Sequence, residues 1–127
     1  MSDAYPPLEL GHPRTELRRQ LVEAVLAGVK TATAGLWSEY EAEGAPVGER
    51  GDRYVLHGYD DELVAIVEVT EARLIPASAV DVEFARDEGE GFESVEDWRI
   101  AHEQFFEQSI EPETEIVATR FRVVERL

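Results

Sequence analysis

The sequence predicts an α+β fold with a mostly antiparallel sheet. Three observations carry that prediction. Runs of β-branched and apolar residues at 53–59, 63–74 and 113–125 read as strands, and the first two are joined by an Asp60-Asp61 hairpin turn. Segments near both ends, 15–27 and 95–108, repeat apolar residues at helical spacing. The strands are grouped around the helices, without the regular βαβ alternation of a parallel sheet.

Taken in chain order, residues 1–12 read as an N-terminal arm, and 13–127 as a single domain. Pro13-Arg14-Thr15 opens a helix, with Thr15 as N-cap and Glu16 in the first turn. Leu17, Leu21, Ala24 and Val25 follow at helical spacing, and Gly28 supplies the stop. Lys30 to Ala34 is rich in Thr and small residues and reads as a short extended piece. Leu36 to Glu43 reads as a second short helix ended by Gly44 and Pro46. Gly48 to Asp52 is a turn cluster before the two central strands. Pro76 starts a helical stretch through Ala85 that breaks at Glu88-Gly89-Glu90-Gly91. Ser94 caps the helix from Val95 to about Gln108, with Asp97 in the capping-box position.

Composition bounds the function. A chain of 127 residues, 43% hydrophobic and 31% charged, is globular and large enough to bury a core without metal or disulfide support. With no cysteine, disulfides and thiolate metal sites are excluded. No apolar run approaches the ~20 residues of a membrane span, and Met1-Ser2-Asp3-Ala4-Tyr5-Pro6-Pro7 lacks the basic and apolar regions of a signal peptide. A cytoplasmic location with no membrane partner is the expectation. The formal charge of -16 repels polyanions and disfavours a general nucleic-acid coat, while leaving room for a small ligand in a locally positive pocket. No Gly-rich phosphate motif, nucleophile elbow or paired-histidine metal motif is present, so neither cofactor nor metal is expected. His12 and His57 have no sequence neighbours that assign them a role.

Of the twelve Lys and Arg residues, only Lys30 is lysine. A lysine can give up its proton and act as a base, whereas arginine cannot. Lys30 beside Thr33 forms a candidate base and nucleophile pair. In a straight strand the two face opposite sides, so they converge only where the backbone turns or the long lysine stem wraps round. The alternative is an edge strand with a solvated lysine. The acidic run Arg86 to Gly91 offers a proton carrier such as Glu88, or simply a solvated loop. On the 95–108 helix, Trp98, His102 and Phe105 share one face, and the aromatics read as core. Arg99 and His102 together suit an anion, although Glu96 and Glu103 are placed to neutralise Arg99 as ordinary helix pairs.

Five motifs in order resemble the ASCH domain. They are Gly28-Val29-Lys30-Thr31-Ala32-Thr33, Val47-Gly48-Glu49-Arg50-Gly51-Asp52, Ile66-Val67-Glu68-Val69-Thr70, Phe84-Ala85-Arg86-Asp87-Glu88-Gly89-Glu90-Gly91 and Trp98-Arg99-Ile100-Ala101-His102. The stretch from Leu17 to Val124 is similar in particular to short bacterial stand-alone ASCH proteins described as predicted RNA-binding. The resemblance implies a PUA-like fold, a small antiparallel β-barrel flanked by helices. It also implies a cleft directed at a small nucleoside, a nucleotide or short RNA. A smaller ASCH relative is an amidohydrolase that removes the acetyl group of N4-acetylcytidine with a Lys, a Thr and a Glu. Those roles fall here on Lys30, Thr33 and Glu88, with Thr31, Trp37, Arg99 and His102 as substrate contacts. The smaller enzyme carries an Arg soon after its second Thr, where this chain has Ala34-Gly35-Leu36-Trp37. A non-catalytic PUA-like RNA or nucleotide binder is the second reading. Ribonuclease activity, described for another relative, is the third.

Overall fold

A computed structural model describes residues 5–127. Residues 1–4 of the segment read as an arm lie outside the described residues. Five strands, β1 (Pro7–Leu8), β2 (Ala32–Leu36), β3 (Arg53–His57), β4 (Leu63–Pro76) and β5 (Glu115–Arg126), form one sheet in the order β1-β3-β4-β5-β2. Every neighbouring pair is antiparallel except β1 with β3, so the sheet is mixed. Four helices flank it: α1 (Glu16–Leu26), α2 (Trp37–Glu43), α3 (Val82–Asp87) and α4 (Val95–Phe106). No described helix is long and apolar enough to cross a membrane.

The α+β class is as the sequence predicts, but the barrel is not closed. Among the described residues β1 and β2 remain the two edges. β1 offers only two residues for pairing, and β2 runs directly into α2, so no ladder joins them. Register shifts at Ile66/Val67 and Val69/Glu71 bend β4, as bulges do. Leu8 of β1 and Thr33 of β2 line the same cavity.

Local sequence explains the helix limits. Thr15 Oγ1 accepts from the Arg18 N–H at 3.2 Å, and Ser94 Oγ accepts from the Asp97 N–H at 3.0 Å. Asp97 reaches back to the N–H of Glu93 at 3.3 Å, one residue before the cap. Gly28, at φ +77°, takes the left-handed position past α1, and the N–H groups of Val29 and Lys30 both donate to the Ala24 carbonyl. The helix expected from Pro76 to Ala85 is instead two pieces. A 3-10 turn covers Ala77–Ala79, Val80 is extended, and Asp81 restarts the chain as the N-cap of α3, accepting from the Phe84 N–H at 2.8 Å.

The core lies in two clusters, one on each face of the sheet. Trp98, Phe84, Leu36 and Ile116 anchor α3 and α4 against β2 and β5. Leu21, Val25, Leu56 and Phe121 anchor α1 against the other face. On α1 the buried stripe is Arg18, Leu21, Val22 and Val25, and Leu17 is left 38% exposed. Arg18 is fully covered. Its guanidinium donates to the carbonyls of Leu10 (3.2 Å), Gly11 (3.0 Å) and Gly58 (3.3 Å) and to Asp61 Oδ1 (2.6 Å). Those bonds pin the segment after β1 to the β3–β4 hairpin, and Leu10 packs beneath them at 5% exposure. Within the segment 5–12, Leu10 is buried, while Pro6, Pro7, Glu9 and His12 stay exposed.

Replacing Arg18 by Leu removes the guanidinium from three carbonyls and a carboxylate, and of the carbonyls Gly58 keeps the Asp61 N–H as a donor. Asp61 is 43% exposed and can turn to water, so the cost falls on the covered carbonyls left without the guanidinium, about 1–3 kcal/mol. Urea unfolding of Arg18→Leu is expected to show a loss in that range, and a loss below about 1 kcal/mol would mean the clamp is not what holds the segment.

Candidate functional site

Three ionisable side chains of the site are buried: Lys30, Glu88 and His102. Each arrives from a different element. Lys30 stands between the end of α1 and the start of β2, Glu88 caps α3, and His102 is mid-way along α4. The chain at Lys30 is still tied by its N–H to Ala24, and extended pairing begins only at Ala32. The lysine stem then curls along the strand, and Nζ donates to the Ala32 carbonyl at 2.8 Å. It also reaches the Glu88 carbonyl at 3.1 Å and Glu90 Oε2 at 3.4 Å, and lies 3.6 Å from Glu88 Oε1.

The Glu88 carboxylate is held on several sides. The indole N–H of Trp98 donates to Oε2, and His102 Nε2 lies 3.3 Å from Oε1. His102 is fixed at its other nitrogen, where Nδ1 lies 2.8 Å from the Trp98 carbonyl, and its ring stacks on Trp98 at 4.5 Å. A carbonyl only accepts, so Nδ1 carries the hydrogen. Nε2 is left facing Glu88 Oε1, where a second proton on the ring would point at the carboxylate. Burial is the largest influence on His102 and pulls its pKa down. The hydrogen bond and charge of Glu88, the Trp98 carbonyl and Glu90 outweigh that pull, and the net shift is upward.

Gly89 makes the meeting possible. It sits at φ +69°, and a Cβ there would lie 2.7 Å from Lys30 Cα and 2.8 Å from Lys30 N. Only glycine allows the loop this close to the backbone at Lys30. Arg120 steadies the same loop from β5. It pairs with Asp87 at 2.6 Å and lies over the Phe84 ring, while the Asp87 carbonyl accepts from the Thr31 N–H at 2.8 Å.

Lys30, Glu88, Glu90 and His102 line one cavity of about 540 Å³, and Thr33 lines it too. Among the described residues Lys30 and Thr33 share no hydrogen bond; they share the space. The cavity runs along edge strand β2, where Gly35 leaves room for the Tyr40 ring, and is closed on the far side by Leu8 and Leu10. Burial, followed by Tyr54, Glu43 and Glu39, pushes the Tyr40 phenol up, so it stays protonated.

The other expected substrate contacts are not brought here. Arg99 is forked between Glu96 and Glu103 (2.8 Å to the latter) and does not line the cavity. Thr31 is spent on the Asp87 carbonyl, and Trp37 lies beside Tyr40 at 6.4 Å, outside the cavity wall. Phe105, expected in the core, is 43% exposed and forms cavity wall, with His12 stacked on it at 6.0 Å. Residue types alone did not single out Tyr40, Glu90 or His12. Arg18 had a visible signal, since it interrupts the 18-21-22-25 apolar stripe of α1.

Two measurements test this geometry. Gly89→Ala forces a disfavoured backbone conformation and a backbone clash, and is expected to lower the unfolding free energy by at least about 2 kcal/mol in urea. A neutral result would show that the loop can retreat from Lys30. A histidine whose folded pKa is raised adds stability that is complete below its unfolded value and is lost as pH rises through the folded value. The stability difference between wild type and His102→Gln should therefore shrink as pH rises above the ordinary histidine value of about 6.5. A difference that is flat or grows there would contradict the pairing with Glu88.

The ASCH domain family model matches residues 10–125. The structure is similar to that of protein EF3133 from Enterococcus faecalis V583, with 24% identity, 91% of this chain and 74% of that chain covered, and a TM-score of 0.80. It is also similar to the ASCH domain from Lactobacillus crispatus JV V101, with 27% identity, 83% and 70% coverage and a TM-score of 0.71. The hypothetical protein PH0355 matches at 20% identity, 81% and 90% coverage and a TM-score of 0.60. No curated protein matches. With an open α+β, PUA-like sheet and a family match over nearly its whole length, the chain belongs to the ASCH domain family.

Proposed function

We propose that this ASCH protein hydrolyses the amide of a small N-acylated nucleoside. The observation that supports the reading is the convergence of a buried lysine, a buried Glu–His pair and a threonine on one cavity. Keeping such charges out of water costs several kcal/mol per ion before pairing. A fold of this size has apolar alternatives, and titratable groups gathered in a cleft support a role in proton transfer.

In this reading Lys30 first passes a proton to Glu90, whose carboxylate is 3.4 Å away. The neutral amine takes the Thr33 hydroxyl proton as Oγ1 bonds to the amide carbonyl carbon. The leaving nitrogen receives a proton from the Glu88–His102 pair, and the C–N bond breaks. An acyl ester on Thr33 remains. Water, deprotonated by the same residues, releases the acid and restores the hydroxyl.

Phosphate-directed readings have weaker support. Lys30 is paired with Glu88 and Glu90, Arg18 with Asp61 and three carbonyls, and Arg99 with two glutamates. The formal charge is -16. An uncharged nucleoside suits these surroundings better than a nucleotide or RNA.

The test is incubation with N4-acetylcytidine and a panel of acylated nucleosides, followed by chromatography. Turnover is expected, falling about 10²–10⁴-fold in Thr33→Ala and Lys30→Ala. No turnover above the Lys30→Ala control would overturn the hydrolase. Binding without turnover, with affinity falling steeply as salt rises, would favour the RNA or nucleotide binder.

A further inference from the structure

The cavity does not end at Thr33. A second cavity of about 930 Å³ continues from it, and Leu8, Glu9, Thr33, Tyr40 and Glu43 line both. Thr33 therefore stands at a junction between two lobes. The first lobe holds every buried charge of the proton-transfer cluster. The second is walled by Pro6, Tyr54, Val67, Val69 and Phe121. Thr119, paired directly opposite Thr33 across β2 and β5, continues the wall from the junction. Residues directly opposite in a ladder point to the same face, so the two hydroxyl-bearing side chains lie side by side.

The second lobe has a definite chemistry. Among the described residues its one cation, Arg53, lies 3.8 Å from Glu68, whereas Glu9, Glu43 and Asp52 give its rim a negative charge. An anionic group is repelled there. An acetyl group, with two carbon atoms, leaves most of a lobe of this size filled only with water. Drug-sized ligands typically occupy pockets of about 300–1,000 Å³.

We infer that the second lobe is an acyl subsite. The substrate's acyl part is then an uncharged apolar or aromatic group considerably larger than acetyl, seated against Tyr54, Val69 and Phe121 with its carbonyl at Thr33. The inference rests on the hydrolase reading for the bond that is cut. The Thr33 oxygen bonds to the carbonyl carbon, the amine departs with a proton, and water later releases the free acid from the ester. The amine half stays in the charged lobe. The apolar half is placed by the walls of the other.

The experiment uses N4-acetyl-, N4-hexanoyl-, N4-benzoyl- and N4-succinylcytidine. It measures kcat/KM on the wild-type protein and Kd by calorimetry on Thr33→Ala. Hexanoyl and benzoyl substrates are expected to exceed acetyl by at least about tenfold in kcat/KM, and succinyl to fall below it. Thr119→Leu, which narrows the lobe beside the junction, should reduce the benzoyl-to-acetyl ratio at least about tenfold. Turnover of acetyl with equal or poorer turnover of the larger acyls would overturn the subsite and leave the hydrolase standing. No turnover at all, with Kd still tightening from acetyl to benzoyl, would overturn the hydrolase and support the subsite. Absence of both turnover and binding across the series would overturn both.

Discussion

One ion cluster governs this molecule: the Lys30 ammonium, the Glu88 carboxylate and the His102 ring, with Glu90 at the rim. None is tolerable alone at its depth, because a buried charge without a partner is costly. Together they fix three pieces of chain that are far apart in sequence. β2 cannot shift along β5 without carrying Lys30 away from Glu88. The α3–α4 loop cannot lift without exposing the carboxylate that Trp98 and His102 hold. α4 cannot rotate without carrying Trp98 and His102, which stack on each other, away from the Glu88 carboxylate. The apolar clusters supply most of the driving force for folding, while this polar contact point selects one relative placement of the elements.

The opening in the sheet has the same origin. A closed barrel would need β1 and β2 to pair, yet β1 is two residues long and α2 begins directly after β2. The space between those edges is not filled by backbone hydrogen bonds; it is the cleft. Leu8 and Thr33 stand on opposite banks of it and line both lobes. An open seam normally exposes a strand edge to unwanted pairing. Here α2 and the Arg18-clamped segment stand on either side, so the gap admits a small molecule more readily than another strand.

Much of the fold was legible because its signals are local. Thr15, Ser94, Gly28 and Gly44 mark helix ends by their own side chains or lack of one, and the alternating runs of β3, β4 and β5 depend only on neighbours in the chain. The break at Val80 was less visible, because Asp81 is an equally good cap and a fair helix residue. Of the site, Lys30 could be singled out by its uniqueness, and Glu88 and Thr33 by motif. That they share a cavity depends on the curl of the Lys30 stem and on Gly89 approaching the strand, which are tertiary facts. Arg99 shows the opposite case. Its two glutamates at helical spacing were visible in the sequence, and they account for where its charge goes. Tyr40 and His12 gave no signal, since each reaches the cleft only through the packing of a neighbouring element.

The rarity of lysine has a practical side. Lys30 is the one ε-amine in the chain, and it is 2% exposed. Among the described residues the folded surface therefore presents no primary side-chain amine to acylating reagents. Modification at this position must wait for the cleft to open or for the loop at Gly89 to lift. The rate at which an amine-directed label reaches Lys30 is then a clock for that opening, and it can be read by mass without any knowledge of the ligand.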